Sequence, residues 1–471
     1  MFGNAPQGHF LRGASQGGEQ ADQLYLGMLG SLIAFLWSVA EYLHNEDADL
    51  TVKALKGFKD ILPDEVRTWQ MIEQIARDIF HRFGFSEIKT PVLEKTELFA
   101  RSIGEATDIV EKEMYTFDDR HGASITMRPE GTASVLRSFI EHGLHVQRPV
   151  QRLYTMGPMF RYERPQKGRL RQFHQMSVEV LGSDNPKVDA EVIAMARLLF
   201  NELGISVTLE INSLGCRSCR PLFNSRLVEF LKECAGRLCP DCERRRLTNP
   251  LRVLDCKNEK CRALFDKAPV ISDHLCDQCR DHFTDMEDGL KLLDIPYSVN
   301  PFMVRGLDYY TRTTFEFVSN ALGAQSAVGA GGRYDGLTKD LGGPDIPGIG
   351  FAIGMERLVL LISQQGKNAH ATSIDLFVAA LGKAAREPAF KMAHALRVKG
   401  LQVAIDHEGR SLKSQMKQAG RLNSGYTFII GDDELEKGVG ALRNMVTHDQ
   451  SPVTLPGDLE DWAAKMVKII K

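Results

Sequence analysis

The sequence predicts an α+β fold: a core of strands and helices interrupted by a mainly helical insertion, followed by a small α/β domain. Three observations lead to this class. Strand patterns separated by helices and loops fill the first part, all nine cysteines lie in one segment with little strand character, and the residues after 372 alternate β-α-β-α-β. A chain of 471 residues suits two to four domains at roughly 150 residues each.

The composition excludes several classes of protein. With 43% hydrophobic and 25% charged residues, the chain is neither disordered nor fibrous. A net charge of −3 excludes a globally basic nucleic-acid binder but allows a local basic surface. The nine cysteines, an odd number confined to 216–279, do not form a scattered disulfide framework. They indicate reduced thiols and a cytoplasmic protein, with metal binding as one use of the thiols.

Residues 1–51 differ in character from the rest of the chain. Within them, Leu24–Ala40 is a run of seventeen uncharged, mostly apolar residues, shorter than the roughly 20 that a membrane-spanning helix needs. The stretch before it lacks the positive charge of a signal peptide. A docked helix and a stretch that is not part of the natural protein are two interpretations. We expect residues 1–51 to be a dispensable extension without a membrane role.

Hydrophobic periodicity predicts the first part of the core, residues 52–213. Pro63 and Asp64 open a long amphipathic helix that continues to Phe83, and a second helix is predicted at 187–203. Strands are predicted at 85–92, 124–127, 153–160, a segment closing at Glu179 and Val180, and 204–213.

The insertion is expected at 214–295, and the second part of the core at 296–366. That second part should hold strands at 313–318 and 326–334 and a strand-to-helix passage at 348–358. A polar stretch around His370 indicates a linker. The C-terminal domain, 372–471, should contain a largely parallel sheet, with strands at 375–380, 402–405 and 426–430 and helices near 387–399 and 411–420.

One strongly basic segment lies in this weakly acidic chain. Between Arg148 and Gln175 there are seven Lys and Arg residues and a single acid, Glu163. Guanidinium groups bind two phosphate oxygens at once, and interleaved aromatic residues such as Phe173 offer stacking faces for a base. A solvated basic face is the alternative. The sequence has neither a Walker loop nor a dinucleotide fingerprint, so phosphate binding would depend on arginine side chains.

Eight of the nine cysteines occur in close pairs, and the ninth is Cys234. The paired residues are Cys216 with Cys219, Cys239 with Cys242, Cys256 with Cys261, and Cys276 with Cys279. The first two pairs have nineteen residues between them, a spacing typical of a four-thiolate zinc ribbon, and the last two offer a second set. We therefore predict structural zinc. The number of ions, one or two, and the pairing between sets stay open, and small buried cysteines without a ligand role are the alternative.

Three segments resemble the motifs of class II aminoacyl-tRNA synthetases. They are GFSEIKTPVLE at 84–94 for motif 1, MFRYERPQKGRLRQFHQ at 159–175 for motif 2, and GIGFAIGMERL at 348–358 for motif 3. Three further segments are similar to the histidyl-tRNA synthetase family within that class: KGFKDILP at 56–63, RPEGT at 128–132 and RGLDYYT at 305–311. The single motifs are degenerate, but their order and spacing over 53–471 are specific.

The resemblance implies a fold and an activity. The fold is a six-stranded antiparallel catalytic sheet flanked by helices, with a homodimer formed through motif 1 and a C-terminal anticodon-binding domain. The activity is that of a histidine–tRNA ligase, which joins L-histidine and ATP to histidyl-adenylate with Mg²⁺ and transfers histidine to its tRNA. The family-like sequence begins abruptly at Val52, which a GTG start codon would explain, and this favours a non-native origin for 1–51. Zinc is not a property that the resemblance implies.

The resemblance also implies roles for individual residues, with Arg161, Arg305 and Arg357 as the catalytic arginines. The residues implied to bind ATP are Arg161, Glu163, Arg169, Phe173 and Arg357. Those implied to bind histidine are Glu130, Gly131, Thr132, Arg161, Gln175, Glu179, Arg305, Tyr309 and Tyr310. The chemistry fits, because a carboxylate and a phenol together can read both nitrogens of an imidazole.

A catalytically silent relative, the regulatory subunit of ATP phosphoribosyltransferase, is the alternative from another functional class. Such proteins are expected to lack the segment at 305–311 or the anticodon domain, and this chain has both. A membrane-tethered binding protein is a third reading that depends only on Leu24–Ala40 and leaves the arginine motifs unexplained.

Overall fold

The computed structural model describes residues 52–104, 107–325, 327–366 and 373–471. The extension at 1–51, including its apolar run, and the linker at His370 lie outside the described residues. The chain divides into two compact units at Lys59. In the first, 52–59 contain a turn in which the Phe58 N–H donates to the Leu55 carbonyl at 2.9 Å. The second unit, from Asp60 onward, holds the helices and strands described below.

The described residues form helices of very different lengths. They are α1 Pro63–Arg82, α2 Thr96–Ile103, α3 Thr132–Glu141, α4 Leu144–Gln147, α5 Pro186–Glu202, α6 Arg220–Glu233, α7 Pro240–Thr248, α8 Glu259–Arg262, α9 Asp277–Leu292, α10 Leu337–Asp340, α11 Met355–Gln364, α12 Arg386–Val398, α13 Leu412–Arg421, α14 Asp432–Lys437 and α15 Leu459–Ile470. Among them, none is long and apolar enough to cross a membrane.

The strands of the described residues belong to three sheets. They are β1 Ser86–Glu87, β2 Leu93–Lys95, β3 Tyr115–Asp118, β4 Ser124–Met127, β5 Gln151–Phe160, β6 Gln172–Leu181, β7 Thr208–Ser213, β8 Ser298–Val299, β9 Thr311–Val318, β10 Ala327–Arg333, β11 Gly348–Gly354, β12 Leu376–Ala380, β13 Val403–Ile405, β14 Tyr426–Ile430, β15 Val439–Asn444 and β16 Gln450–Thr454.

The largest sheet has the order β1-β5-β6-β11-β10-β9-β7-β8. Its six central strands are antiparallel, as the resemblance implies. The edge strands β1 and β8 are two residues each and pair in parallel with β5 and β7, so the sheet has eight strands rather than six. The strand predicted at 85–92 is therefore wrong beyond Ser86–Glu87. It pairs on one side only, and Pro91 has no N–H to donate to a ladder.

Helices cover one face of this sheet. Helix α1 begins with Pro63, carries acids in its first turn and buries residues at helical spacing, including Trp69, Ile72 and Phe80. It packs with α5 and α11 against the even-numbered residues of β6 and the odd-numbered residues of β9 and β11. The opposite face of the sheet is thereby left for the cavity described below.

The three-stranded sheet β2-β4-β3 begins in the last residues of motif 1 and is antiparallel throughout. Because side chains alternate along a strand, Leu93, Phe117 and Ile125 lie on one face of it. Leu93 and Phe117 are 45% and 47% exposed, which is unusual for large apolar side chains. This sheet therefore presents an apolar surface.

The insertion is mainly helical, as predicted. Helices α6, α7 and α8 and the 3₁₀ turns Pro250–Val253, Phe265–Lys267 and Ile271–His274 enclose a core of their own. The last helix, α9, departs from the expected boundary at 295. Its Met286 and Leu290 are fully buried in the core of the large sheet, so this end of α9 packs with the catalytic core.

The C-terminal domain has the alternating pattern that the sequence predicts, but its sheet is mixed. The strands β12, β13 and β14 are parallel, whereas β15 and β16 add an antiparallel hairpin that periodicity did not reveal. Helices α12 and α15 pack on one face of the sheet. On the other face, Phe377 and Ile429 pack with Ala419 of α13.

Candidate active site

A cavity of about 1440 Å³ lies between the free face of the large sheet and the insertion. It is lined by every residue implied to bind ATP or histidine except Gly131, whose neighbours Glu130 and Thr132 line it. These residues come from distant parts of the chain: the loop before α3, the β5–β6 loop, β6, the segment before β9, and the first turn of α11. The fold therefore brings the sequence-predicted site together.

Strand alternation explains why so many of these side chains share one face. On β6, Met176, Val178 and Val180 are fully buried under the helices, so Phe173, Gln175 and Glu179 point the other way, into the cavity. On β11 the cavity face carries small residues, which leave room for a ligand; they are Gly350, Ala352 and Gly354.

Glu179 lies at the buried end of the cavity and accepts two hydrogen bonds. Thr132 donates its hydroxyl to Oε1 at 2.7 Å, and Tyr334 donates its hydroxyl to Oε2 at 2.5 Å. Burial raises the pKa of the Glu179 carboxyl to about 8, although both hydrogen bonds act to lower it. The carboxyl group is thus held in a fixed position and is mostly protonated at neutral pH.

Glu130 is buried beside Glu179, where it caps helix α3. Its carboxylate accepts the backbone N–H groups of Thr132 at 2.7 Å and Ala133 at 2.8 Å. Burial raises its pKa, and these helix N-terminal donors oppose that rise. Glu130 therefore anchors the RPEGT segment and presents a carboxylate to the cavity.

Aromatic rings close this end of the cavity. The Tyr309 and Tyr310 ring centroids are 4.7 Å apart, and Tyr309 meets Tyr334 edge to face at 5.9 Å. Burial raises the pKa of the Tyr309 and Tyr334 phenols well above their usual value, so both are neutral hydrogen-bonding groups. The Gln175 amide oxygen is also buried here and has no hydrogen-bond partner among the described residues. A polar ligand is what this arrangement is built to hold.

Arg305 lines the cavity together with the tyrosines and the other arginines. Its Nη1 lies 3.0 Å from Glu316 Oε1, and its guanidinium lies 5.2 Å from the centroid of the Tyr310 ring. Its buried Nε has no hydrogen-bond partner among the described residues. Arg305 thus has a donor free for a bound anion.

The β5–β6 loop supplies the other cationic wall. Arg161 donates its Nε to the Pro129 carbonyl at 2.8 Å and stacks on Phe173, with 5.3 Å from the guanidinium carbon to the ring centroid. Glu163 accepts from Arg169 at 2.8 Å and lies 3.8 Å from Arg161. This network orients both arginines next to an aromatic face.

Arg357, in the first turn of α11, faces the same loop. It donates to the carbonyls of Gly168, at 3.5 Å, and Ala327. Burial and the nearby charge of Arg169 lower its pKa from an ordinary guanidinium value, and it stays protonated at neutral pH. The convergence of Arg161, Arg169, Arg305 and Arg357 makes the cavity a site for a polyanion.

Three further residues support the site, although the sequence did not single them out. Tyr334 donates to Glu179 and directly follows the Gly-rich strand β10. Gly350 pairs with Glu179 across β6 and β11, and a Cβ at Gly350 would overlap the Glu179 carboxylate. Glu356 accepts the His174 backbone N–H at 2.9 Å and ties motif 3 to motif 2. Gly350 and Glu356 lie within a quoted motif, but the roles of Tyr334 and Gly350 depend on strand register.

The insertion supplies the opposite wall of the cavity and is fastened to the core across it. Asp108, in the turn that precedes the π-helical segment Ile109–Glu113, lies 3.4 Å from Arg245 and 4.0 Å from Arg252 of the insertion. The hydrogen bond from Lys112, at 2.9 Å, is the main cause of the lowered pKa of Asp108. Asp108 is therefore a negative charge shared between the core and the insertion.

All nine cysteines are free thiols, and eight of them form two groups of four. The base group, Cys216, Cys219, Cys276 and Cys279, joins the two ends of the insertion. The wall group is Cys239, Cys242, Cys256 and Cys261. The base group thus combines the first and last pairs along the chain, and the wall group combines the two middle pairs. The spacing had suggested sets of consecutive pairs, and the fold does not form those sets.

The geometry of both groups fits a tetrahedral metal ion. Within each group the sulfur atoms all lie within 4.8 Å of one another. Neighbouring sulfurs are 3.6 and 4.0 Å apart in the base group and 3.8 Å apart in the wall group. A zinc ion bound by four thiolates at about 2.3 Å separates its sulfurs by roughly 3.8 Å. Backbone N–H groups support the sulfurs, as in Cys276 to Cys219 at 3.2 Å and Cys239 to Cys261 at 3.1 Å.

An antiparallel six-stranded core with helices on one face, motif arginines on the other and no glycine-rich phosphate loop defines a class II aminoacyl-tRNA synthetase. The comparisons with known proteins agree. The sequence profile "Histidyl-tRNA synthetase" matches residues 57–217 and 242–358, and the profile "Anticodon binding domain" matches residues 375–462. The chain therefore belongs to the histidyl-tRNA synthetase family, a family of ATP-dependent aminoacyl-tRNA ligases.

Relatives cover nearly all of the described chain. A histidine–tRNA ligase of Desulfotalea psychrophila is 60% identical over 415 residues, which are 88% of this chain and 96% of that protein. One of Geobacter sulfurreducens is 56% identical over 416 residues, 88% of this chain and 100% of that protein. The crystal structure of apo S. aureus histidyl-tRNA synthetase matches with a TM-score of 0.74 and 37% identity, covering 88% of this chain and 100% of that one.

A more distant structure shares the fold alone. It is described as an ATP phosphoribosyltransferase regulatory subunit/histidyl-tRNA synthetase from Bacillus halodurans, with a TM-score of 0.58 and 20% identity over 81% of this chain and 98% of that one. The same fold is thus found in proteins described by either function, and the site must decide between them.

Proposed function

We propose that this chain is a histidine–tRNA ligase that activates L-histidine with ATP and transfers it to the 3′ end of its tRNA. The observation that carries the proposal is the single cavity in which Glu179, the tyrosine pair and the four arginines meet. The cavity thus holds groups that can bind an imidazole next to groups that can bind a triphosphate. Such an arrangement fits a reaction that joins histidine to ATP.

The buried end of the cavity takes the histidine side chain. Glu179 and the Tyr309–Tyr310 pair read the two imidazole nitrogens, and Gln175 satisfies its buried amide oxygen on the same ligand. The carboxylate of Glu130, beside Gly131 and Thr132, faces the α-amino group. Shape and hydrogen bonding together exclude amino acids that lack a second nitrogen donor.

The arginine side takes ATP. Phe173 stacks the adenine, Glu163 orients it, and Arg161 contacts the α-phosphate. Arg169 and Arg357 hold the outer phosphates of a bent ATP. Fixed guanidinium forks suit this task because each can bind two phosphate oxygens without deprotonating.

The chemistry needs positioning rather than a protein nucleophile. The histidine carboxylate attacks the α-phosphorus, and pyrophosphate leaves. The 3′-terminal ribose hydroxyl of tRNA then attacks the adenylate carbonyl carbon, and AMP leaves. Arg161 and Arg305 neutralise charge that develops on the α-phosphate, so they contribute most where charge changes most.

Mg²⁺ accompanies ATP in this scheme and offsets phosphate charge when bound. Glu316 fits it, because its carboxylate lines the cavity next to Arg305 and carboxylate oxygens are ligands that Mg²⁺ prefers. Arg305 holds that carboxylate in place from one side.

The C-terminal domain binds the anticodon stem of the tRNA. Exposed basic side chains surround the carboxyl ends of its parallel strands; they are Lys383, Arg386, Arg410, Lys413 and Lys417. Exposed Phe390 meets His407 with ring centroids 6.0 Å apart, which offers an aromatic face to an unpaired base.

The protein acts as a homodimer in the cytoplasm. The β2-β4-β3 sheet, which begins in the last residues of motif 1, has an exposed apolar face with Leu93 and Phe117 that is suited to burial against a second copy. The free thiols favour a reducing compartment.

The two cysteine groups hold structural zinc, one ion in each. Support comes from the sulfur spacing, from the backbone donors to sulfur, and from the absence of disulfides among the described cysteines. Such sites contribute on the order of 10 kcal/mol to folding in favourable cases. Native mass spectrometry of the full chain should find two zinc ions per chain; a mass without metal, together with freely titratable thiols in the folded protein, would rule zinc out.

Histidine-dependent ATP–pyrophosphate exchange tests the catalytic proposal directly. The purified protein should exchange pyrophosphate into ATP when histidine is present. No other standard amino acid should support exchange at a comparable rate. A folded protein that binds histidine without exchange would instead favour the regulatory subunit. The four arginines that line the cavity and the anticodon domain favour the enzyme over that alternative.

A further inference from the structure

The two cysteine groups differ in their relation to the reaction cavity. Cys239 and Cys256 of the wall group line the cavity, whereas the four residues of the base group are absent from its lining among the described residues. The wall group is thus placed where a bound metal would act on the geometry of the cavity itself.

The segment that the wall group encloses has little regular structure to hold it in place. Between Cys239 and Cys261 lie the nine-residue helix α7, the 3₁₀ turn Pro250–Val253 and the start of the four-residue helix α8. Yet this segment presents Arg252, Asp255 and Asn258 to the cavity. Cross-linking by a metal is a physical means to fix such short elements.

The same segment is joined to the core at two points. Asp108 of the core lies between Lys112 and the insertion residues Arg245 and Arg252. Asn249 bonds the carboxyl of Asp308, two residues before the tyrosine Tyr310 of the histidine pocket. Both contacts can form only when the segment between Cys239 and Cys261 is correctly placed against the core.

We propose that zinc in the wall group is a positioning site for catalysis. It holds the insertion wall so that Arg245 and Arg252 engage Asp108, and this latch keeps the adenylate enclosed until tRNA arrives. The inference rests on the proposed zinc binding and goes beyond it, because a metal that only stabilised the fold would not control the fate of the intermediate.

The chemistry gives the proposal a specific readout. Histidyl-adenylate is a mixed anhydride, and water that enters the cavity cleaves its acyl–oxygen bond to give free histidine and AMP. A well-seated wall excludes that water. Each pyrophosphate released can yield at most one AMP, so a loosened wall should raise the amount of AMP formed per pyrophosphate within the first turnover in the absence of tRNA.

Three variants of the full chain test this. Cys242→Ser removes a fully buried ligand that is not in the cavity lining. Asp108→Asn breaks the latch and leaves all thiols intact. Cys234→Ser is the matched control, a buried cysteine of the same core that belongs to neither group. For each, zinc per chain, kcat and KM of adenylation, and AMP per pyrophosphate without tRNA are measured.

Cys242→Ser should lose one zinc and raise AMP per pyrophosphate about tenfold or more, the scale expected for misplacement near a reacting centre. Asp108→Asn should keep both zinc ions and raise AMP formation in the same direction, with KM for histidine nearly unchanged. Cys234→Ser should match the unaltered protein within about twofold in all readouts.

Two results would overturn the inference while zinc binding stands: loss of one zinc in Cys242→Ser with AMP formation unchanged, or unchanged AMP formation in Asp108→Asn. An unaltered protein that holds no metal would remove the zinc proposal and this inference together. If Cys242→Ser does not fold, the Asp108→Asn result decides.

Discussion

The catalytic sheet and the insertion face each other across one cavity, but they are held together by different means. The sheet has ten-residue strands and a core of fully buried apolar side chains, such as Phe315, Phe317 and Ile349. The insertion has short helices, and five cysteines are among its buried core residues: Cys219, Cys234, Cys242, Cys261 and Cys279. The sheet can fix its own geometry by burial, whereas under our proposal the insertion also depends on metal bound by its thiols.

The difference also separates the tasks of the two regions. Residues that contact histidine and ATP in the proposed complex lie on or next to long strands, where backbone hydrogen bonds limit their movement. The insertion closes the cavity by ionic contacts to Asp108, which solvent weakens more easily. Substitutions in the sheet should thus alter the rate of the chemical step. Those in the insertion should alter how well the cavity retains the adenylate and excludes water.

The largest effect should come from Arg305 on the sheet side. Arg305→Ala should lower histidine-dependent pyrophosphate exchange by about 10²-fold or more, because a charge-stabilising donor is lost. Arg305→Lys should restore little, since an ammonium lacks the planar fork. Arg226→Ala, at an exposed ion pair of the insertion, is the control and should keep the full rate. Near-normal exchange in Arg305→Ala would remove this residue from the mechanism.

A smaller effect should follow from crowding the sheet. Gly350→Ala would force its Cβ into the Glu179 carboxylate and the Val178 carbonyl, so we expect a loss of about 1–3 kcal/mol in the free energy of unfolding. The control is Gly354→Ala on the same strand, whose Cβ would be 4.0 Å from Arg357. Thermal denaturation of both variants measures this. Equal midpoints would show that the Glu179 end of the sheet is more pliable than this account holds.

The pH dependence of histidine binding should sharpen the assignment of Glu179. Its pKa is raised to about 8 by burial, and a free imidazole titrates near 6.5. Bound histidine and Glu179 share one proton, so binding releases a proton below about 6.5 and takes one up above about 8. The KM for histidine should be lowest between these values and rise about tenfold per pH unit outside them.

Glu179→Gln is the variant for this test, because its side chain keeps its shape and has no titration. It should lose the alkaline rise in KM near pH 8 and retain the acid one. The same raised pKa means that the folded protein holds a proton that the unfolded chain releases between about pH 4.5 and 8, so Glu179 makes the free energy of unfolding fall as pH rises through this window. An alkaline limb that persists in Glu179→Gln would assign it to another group.

The smallest effect should be that of residues 1–51. A chain that begins at Val52 should match the full chain in its rate of pyrophosphate exchange within about twofold and should have the same thermal midpoint, because every residue of the candidate site lies beyond this point. Mass spectrometry of the protein from its own host should find an N-terminus near residue 52. Peptides from 1–50 in the mature protein, or a large loss of activity on truncation, would contradict the expectation.

Sequence patterns predicted the elements of the sheet better than its pairing. Alternation along β7 and the passage from β11 into α11 were visible in the sequence, because one face of each is apolar. The hairpin of β15 and β16 was missed, since its exposed strand β16 lacks an apolar face. The length of the edge strand β1 was overestimated, because a strand-like sequence does not show whether a partner strand lies on both sides.

In the candidate site, too, the sequence predicted individual residues better than their spatial relations. Residues inside recognisable motifs, such as Arg161 and Arg357, were found from the sequence, and the fold brings them together. Gly350 lies inside motif 3 and Tyr334 outside the motifs, but neither was given a role, because their importance comes from lying opposite or beside Glu179 in three dimensions. The cysteines were predicted as metal ligands, which stays a prediction, but their nested grouping was not, since spacing measures distance along the chain and not where the ends of the insertion meet.

Hydrogen exchange of the full chain with and without a zinc chelator tests the central claim, that burial holds the sheet and metal holds the insertion. With chelator, amides of 214–280 should lose most of their protection, while those of β5, β6, β9 and β11 keep theirs. Equal protection of the insertion in both samples would contradict the account and leave the thiols as ordinary core residues.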